Sequence, residues 1–168
     1  MNIRYSKQED IQAIMNLVHQ AQKYFKDNGI NQWQDGYPHS QQISNDIERQ
    51  HSFVLVEQDI IGTMYFAIEN DKTYNIIDGQ WLTHNQPYAV IHRIVVDENI
   101  KGRGTARKLL NYAEKECQKN NIQSIRIDTH EDNLSMQAFL TKNGFKKCGF
   151  ITLESGAPRV AFEKMLNK

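Results

Sequence analysis

The chain has 168 residues, of which 39% are hydrophobic, and its 20 basic and 20 acidic residues give a formal net charge of zero at pH 7. This length is sufficient for one domain with its own core, so we expect a single domain over residues 1–168. A neutral chain has no general attraction for nucleic acid or an anionic membrane, and neither partner is expected. Any binding of anions must therefore be local.

The cysteines and the N-terminal segment both favour a cytoplasmic protein. Cys117 and Cys148 are too few for a disulfide framework and have no metal-like spacing, so we expect reduced thiols and no bound metal. The first residues, MNIRYSKQEDIQ, are polar and charged where a signal peptide is apolar. No stretch reaches membrane-spanning length. Homodimerisation is left open by the sequence.

The first part of the chain predicts a strand, two helices and a hairpin. Ser6 lies three residues before Glu9, which is capping-box spacing, and apolar residues then follow at helical period. Gly29 predicts the end of this helix, because glycine commonly follows the last turn. In chain order, the predicted elements are a strand over 2–5, a helix ending near 28–29, a loop over 29–40, a helix over 41–49 and a hairpin over 52–68.

The second part of the chain alternates strands and helices. Residues 69–87 are polar and mixed and carry only a weak strand pattern. The predicted elements that follow are a strand over 88–96, a helix over 104–120, a strand over 122–129, a helix over 133–143 and strands over 145–153 and 159–166. This order predicts a mixed α/β (α+β) fold, with a mixed sheet and helices on both faces.

The segment 88–116 predicts a phosphate site. It reads as an apolar strand, the loop KGRGTA and an amphipathic helix. A helix N-terminus leaves its first amides unpaired and carries a partial positive charge, and glycines allow those amides to close around a phosphate. Lys101 and Arg103 add positive charge. The Walker pattern G-x-x-x-x-G-K-[ST] and the dinucleotide pattern G-x-G-x-x-G are both absent, which argues against those two classes of nucleotide site.

The loop resembles the pyrophosphate loop of the GNAT N-acetyltransferase superfamily, whose pattern is Gln/Arg-x-x-Gly-x-Gly/Ala. Lys101, Gly104 and Ala106 occupy its three defined positions, with lysine in place of Gln or Arg. Residues NLSMQAFLTKNGF, one strand later, resemble the helix Asn-x-x-Ala-x-x-Phe-Tyr-x-x-x-Gly-Phe of the same family. The resemblance runs from about residue 88 to residue 150. It implies a central, mostly antiparallel sheet of about six to seven strands.

The resemblance also implies acetyl-CoA as the cofactor. The backbone of residues 94–96 would pair with the pantetheine arm as an added strand does, and the loop amides would hold the pyrophosphate. The implied cofactor contacts are Ile94, Val95, Val96, Lys101, Gly102, Arg103, Gly104, Thr105, Ala106, Asn133, Ser135 and Phe139.

The position where the family often has a tyrosine that protonates the leaving thiolate is Leu140 here. Another group must supply that proton, or the thiolate leaves unassisted. His92 resembles a proton-relay histidine of the arylalkylamine acetyltransferases and is the candidate base or relay. The alternative is a hydrogen-bonded structural histidine. Glu131, at the end of the next strand, is a second candidate and would take part in acceptor binding.

Aromatic and acidic residues suggest the acceptor side. Trp33, Tyr37, Asp78 and Trp81 would suit a cation with an apolar body, through cation–π and carboxylate contacts. The alternative for each tryptophan is ordinary packing. The sequence therefore predicts an N-acetyltransferase that acts on the primary amine of a small molecule. The alternatives are a non-catalytic acyl-CoA binding or sensing domain and a protein or peptide N-acetyltransferase.

Overall fold

The computed structural model describes residues 1–166, and over this range it contains four α-helices and one sheet of eight strands. In chain order these elements are β1 (Asn2–Tyr5), α1 (Ile11–Asp27), α2 (Ser40–Glu48), β2 (Ser52–Val56), β3 (Ile60–Ile68), β4 (Asp78–Gly79), β5 (Ala89–Val96), α3 (Thr105–Lys119), β6 (Ser124–Thr129), α4 (Leu134–Lys142), β7 (Lys146–Thr152) and β8 (Pro158–Met165). Short 3-10 turns lie at Gln8–Asp10, Lys72–Asn75 and Glu98–Ile100.

The strand order is β1-β2-β3-β5-β6-β8-β7-β4. The β5–β6 pair is parallel, whereas β1–β2, β2–β3, β6–β8, β7–β8 and β4–β7 are antiparallel. The predicted mixed α/β fold with a mostly antiparallel sheet is therefore confirmed. The strand count exceeds the predicted six to seven because β4 has only two residues, Asp78 and Gly79, which are too few to show an alternating pattern.

The β4–β7 pair depends on two glycines. Gly79 has a φ of +134° and Gly149 a φ of +145°, and they lie opposite each other in the ladder. A Cβ atom on Gly79 would collide with the carbonyl oxygen of Cys148, and one on Gly149 with that of Asp78. The two backbones can therefore approach this closely only where no side chain is present.

The chain forms two compact units. Unit 1 comprises residues 1–66 and 92–113, and unit 2 comprises residues 67–91 and the chain from residue 114 onward. The expectation of a single domain over residues 1–168 stays a prediction. Within the described range, no helix combines the length and the apolar character needed to cross a bilayer.

In unit 1, α1 buries Ile14 and Val18 against Ile43 of α2 and Val54 of β2. The buried positions of α1 recur at helical spacing, as the sequence pattern predicts. The helix continues to Asp27, and Gly29, with a φ of +67°, follows its end.

The predicted capping box at Ser6 and Glu9 is wrong by one residue. The Asp10 carboxylate accepts a hydrogen bond from the Lys7 amide at 2.7 Å and forms an ion pair with Arg4 at 2.7 Å. The Ser6 hydroxyl instead pairs with that of Ser52 at 2.8 Å in a buried contact. Serine at position 6 therefore joins two strands, whereas the aspartate organises the turn that precedes α1.

In unit 2, a fully buried carboxylate joins β8 to its surroundings. Glu163 accepts hydrogen bonds from the hydroxyls of Thr83 and Ser124 and from the Leu82 amide, the last at 2.6 Å. Its Oε1 atom lies 3.3 Å from Nε of Arg126. Because every one of these contacts crosses between different elements, Glu163 ties the 81–83 segment to β6 and β8.

Candidate functional site

The glycine loop of unit 1 leads directly into α3. The Lys108 amide donates to the Gly104 carbonyl at 3.2 Å, which makes Gly104 the residue that caps the helix. Gly102 and Gly104 have φ angles of +83° and +76°, and a Cβ on either would meet no atom within 4 Å. The first amides of α3 have no acceptor within the helix. The space beside both glycines, directly before these amides in the chain, is free of side-chain bulk.

Thr105, the first residue of α3, adds an unsatisfied polar atom to this loop. It is 2% exposed, and within residues 1–166 its hydroxyl oxygen has no hydrogen-bond partner. A buried polar atom without a partner is costly, which points to a ligand atom that completes it. The exposed Lys101 and Arg103 supply positive charge beside it. These residues fit a phosphate or pyrophosphate group.

A turn before the glycine loop contacts α1. The Glu98 amide donates to the Gln20 side-chain oxygen at 3.1 Å, and Asp97 accepts from the Asn99 amide at 2.9 Å. The Lys101 ammonium lies 4.2 Å from the centre of the Tyr24 ring. No sequence pattern marks Gln20 and Tyr24, because helical period alone cannot show which residue of α1 meets which loop.

Strand β5, which carries His92 and residues 94–96, has a left-handed residue in its middle. Arg93 has a φ of +50°, which is uncommon for a residue with a side chain. Such a residue interrupts the regular alternation of side chains along a strand. Regular alternation along β5 would place His92 and Ile94 on one face, but it does not extend across Arg93.

The Arg93 side chain is anchored within unit 1. Its guanidinium donates to the Tyr37 hydroxyl and to the Asp46 carboxylate, both at 2.5 Å, and it lies 4.9 Å from the centre of the Tyr65 ring. Side-chain exposure is 9% for Arg93 and 3% for Asp46. Burial raises the pKa of the Asp46 carboxyl, although Arg93 opposes this effect. The anchor thus connects the loop that contains Tyr37 with α2 and β5.

His92 is half-buried next to a second polar pair. Its ring centre lies 5.5 Å from that of Tyr65, whose hydroxyl lies 3.0 Å from Nδ1 of His51. The structure therefore brings His92 and Tyr37 to the same neighbourhood, through Tyr65 and Arg93. Sequence reasoning missed Tyr65 and His51, and no local pattern marks them.

The predicted acceptor residues of unit 1 lie on the loop after α1. Trp33 makes edge contacts with Phe25 and Tyr37, with ring centres 5.6 and 6.3 Å away. The Gln22 side chain donates to the Tyr37 carbonyl at 3.1 Å and so fixes the loop on α1. An open pocket of about 460 Å³ lies between α1 and this loop. It is lined by Gln12, Met15, His19, Gln22, Gly36, Pro38, His39 and Ser40.

The two acceptor candidates of unit 2 differ in exposure. Asp78 is exposed on β4, whereas Trp81 is 6% exposed. The Trp81 indole donates to the Tyr74 carbonyl at 2.9 Å, and its ring lies 4.3 Å from the Arg126 guanidinium carbon. The Tyr88 ring lies 4.0 Å from the same carbon. Trp81 is thus half of an aromatic sandwich around a buried arginine.

The remaining candidates lie around α4 in unit 2. Asn133 is 4% exposed and caps the helix, since its side-chain oxygen accepts from the Met136 amide at 3.1 Å. Ser135 and Glu131 are exposed, and Phe139 is half-buried. Leu140 is 1% exposed, so the position of the family tyrosine points into the core. Among the residues that the structure describes, no three His, Cys, Asp or Glu side chains are grouped as metal ligands would be.

Comparisons with known proteins agree with this fold. The model of the acetyltransferase (GNAT) family matches residues 13–145. The uncharacterized N-acetyltransferase YesJ of Bacillus subtilis (strain 168) is 25% identical over 148 residues, which cover 84% of this chain and 79% of that protein.

Solved structures give the same result. A GNAT-family acetyltransferase from Streptococcus agalactiae is 31% identical, with a TM-score of 0.89 over 99% of this chain and 96% of its own. The PaiA N-acetyltransferase of Thermoplasma acidophilum, solved in complex with coenzyme A, is 19% identical, with a TM-score of 0.74 over 98% of each chain, and at this identity it shows the fold alone. Because the family model matches most of its length, the chain belongs to the acetyltransferase (GNAT) family.

Proposed function

We propose that this acetyltransferase uses acetyl-CoA and transfers its acetyl group to the primary amine of a small molecule. The observation that carries the proposal is the glycine loop before α3, where two left-handed glycines leave the helix amides accessible and Thr105 has a buried, unpaired hydroxyl. Family membership and the coenzyme A bound to the Thermoplasma protein support acetyl-CoA as the cofactor.

In this proposal, the amides of residues 101–106 and the Thr105 hydroxyl bind the pyrophosphate, and Lys101 and Arg103 add charge. The backbone of Ile94, Val95 and Val96 pairs with the pantetheine arm. The contacts of Asn133, Ser135 and Phe139 with the cofactor are carried over from the family resemblance and stay predictions. A location in the cytoplasm, inferred from the reduced cysteines, is likewise a prediction.

Acetyl-CoA supplies an activated thioester, and the chain must supply a neutral amine. We assign His92 as the group that takes the proton from the ammonium, directly or through water, because an imidazole exchanges protons readily near neutral pH. The His92 ring packs against the Tyr65 ring, and the Tyr65 hydroxyl is in turn hydrogen-bonded to His51. These contacts hold His92 in position. As the C–N bond forms and the C–S bond breaks, the amine nitrogen loses a second proton. Leu140 has no proton to donate, so this second proton passes through water to the leaving thiolate.

The acceptor is proposed to lie near Trp33 and Tyr37. Their rings, together with Asp35 on the same loop, suit an amine that carries an apolar body. The adjoining pocket has amide, imidazole, hydroxyl and thioether groups but no side chain of Asp, Glu, Lys or Arg in its lining. It therefore favours a neutral polar group at the far end of the acceptor. Trp81 is not assigned to the acceptor site, because its indole N–H already donates to the Tyr74 carbonyl.

The proposal is tested by thiol release from acetyl-CoA in the presence of an amine panel. The panel contains arylalkylamines, polyamines, amino sugars, amino acids and peptides with free N-termini. Turnover on a small amine, with product identified by mass, is the expected result. Turnover on peptides alone would contradict a small-molecule acceptor and would indicate that the acceptor is a protein or peptide.

A non-catalytic acyl-CoA sensor is the second candidate, because the tyrosine position of the family is a buried leucine. A sensor would bind acetyl-CoA, which calorimetry measures, yet release no thiol above the rate of buffer hydrolysis with any amine. Coupled measurements of binding and turnover on one preparation therefore separate the two functions.

A further inference from the structure

We propose that Tyr24 of α1 is a positioning residue for Lys101, whose ammonium it holds at the glycine loop for the anionic part of the cofactor. The inference rests on the proposed cofactor site and adds a residue far from the loop in sequence. The Lys101 ammonium lies 4.2 Å from the centre of the Tyr24 ring, well inside the range of a cation–π contact.

The contact restricts a side chain that would otherwise be mobile. Lys101 is exposed, and an exposed lysine has several rotatable bonds that must be ordered when it binds a phosphate. A side chain that is already held in place loses less entropy on binding, and the affinity for the ligand rises accordingly. The Tyr24 ring therefore prepares Lys101 for an anion.

An aromatic ring holds a cation without neutralising it. Within residues 1–166, no carboxylate pairs with Lys101, whereas the nearby Lys23 is paired with Asp27 at 2.5 Å. No carboxylate within these residues therefore competes with a phosphate for Lys101 while the position of its side chain is restricted. A carboxylate in place of Tyr24 would fix the ammonium equally well but would compete with the phosphate for it.

A second contact from the same face of α1 supports this role. Gln20 lies one turn before Tyr24, and its side-chain oxygen accepts from the Glu98 amide at 3.1 Å. Asp97 in turn accepts from the Asn99 amide at 2.9 Å, which closes the turn Glu98–Ile100. Residues of α1 thus hold both the backbone before Lys101 and its side chain.

The test compares the binding of coenzyme A to full-length variants by calorimetry at fixed ionic strength. Tyr24→Leu should raise Kd about two- to fivefold, because the ordering of an unrestrained, rotamer-rich side chain on binding costs about that much affinity. Tyr24→Phe keeps the ring and should stay within about twofold of the wild type. Unchanged thermal unfolding in both variants shows that the packing of α1 is preserved.

A double variant distinguishes positioning from general damage. In a Lys101→Met background, Tyr24→Leu should cause no further loss of affinity, because the cation that the ring holds is gone. The dependence of Kd on salt should become weaker in Lys101→Met and stay as in the wild type in Tyr24→Leu, which keeps the charge.

Equal affinity of the wild type and Tyr24→Leu would overturn the inference, as would the same loss in both backgrounds. Neither result bears on whether the protein acetylates amines. Conversely, a wild type that binds coenzyme A but transfers no acetyl group contradicts the proposed function and leaves the comparison of Tyr24 variants intact.

Discussion

Arg93 shows how a single residue with an unfavourable backbone can be maintained by its side chain. A left-handed conformation costs a residue with a Cβ about 1 kcal/mol or more. The guanidinium offsets this cost by its bonds to Tyr37 and Asp46 and by its position over Tyr65. Because His92 precedes Arg93 directly, the anchor also sets the position of the proposed base.

His92→Ala should lower kcat at pH 7 by about 10²-fold or more, since general base catalysis contributes about that much. The Kd for coenzyme A should change little, because His92 is proposed to act on the amine. The pH–rate profile of the variant, measured from pH 6 to 9, should differ in shape from that of the wild type. His84→Ala, at an exposed histidine of unit 2, is the matched control. An unaltered pH–rate profile would remove His92 from the mechanism.

The start of α1 depends on one carboxylate, and this makes its stability sensitive to pH. The hydrogen bond from Arg4 lowers the pKa of Asp10, and burial opposes this shift. A carboxyl with a lowered pKa in the folded state stabilises the protein fully above its ordinary value of about 4. The stabilisation is lost as the pH falls through the lower folded pKa.

Asp10→Asn should therefore destabilise the protein by about 1 kcal/mol at pH 7 and progressively less below about pH 4. Urea unfolding of wild type and variant at several pH values measures the difference. Asp59→Asn, in the exposed hairpin turn, serves as control. A difference that stayed constant down to pH 2 would show that the Asp10 charge is not responsible.

The elements of unit 2 are joined by a charge that is wholly buried. Glu163 on β8 satisfies donors from the 81–83 segment and from β6, and Arg126 is held between the rings of Trp81 and Tyr88. Removal of one partner from such a pair leaves the other charge unpaired in the core.

Glu163→Leu should lower the free energy of unfolding by about 3–5 kcal/mol, because Arg126 is left without its counter-charge. Glu163→Gln keeps the shape and one acceptor oxygen and should cost less than the leucine variant. Chemical denaturation measures both, with Glu154→Gln in the exposed β7–β8 turn as control. A loss below about 1 kcal/mol in both variants would contradict a structural role for this pair.

The sequence predicted the helices and most strands because their apolar residues recur at the period of the element. It did not predict β4, whose two residues have no period. It also did not predict the role of Asp10, which accepts from the Lys7 amide and pairs with Arg4. The glycine loop was predicted because all of its signal is local. Arg93 and Asp46 form a buried pair although they are 47 residues apart in the chain, and no sequence pattern relates two residues at that separation.

The whole molecule has no net charge at pH 7, so its phosphate binding relies on local groups. Mutual repulsion between molecules is weakest at such a pH, and association is therefore favoured there. We expect the lowest solubility near pH 7 in low salt and a clear increase by pH 9. Light scattering across this range measures the effect. A solubility that is independent of pH would show that surface charge does not limit association.

The short strand β4 has a consequence for how the protein behaves at high concentration. It stands at one end of the strand order, and its two residues leave few backbone donors and acceptors for another chain to extend. Long, flat edge strands are the usual templates for fibril growth. The glycine pair that allows β4 to lie so close to β7 thus also places at this end of the strand order a two-residue strand, which is too short to be a good template for amyloid.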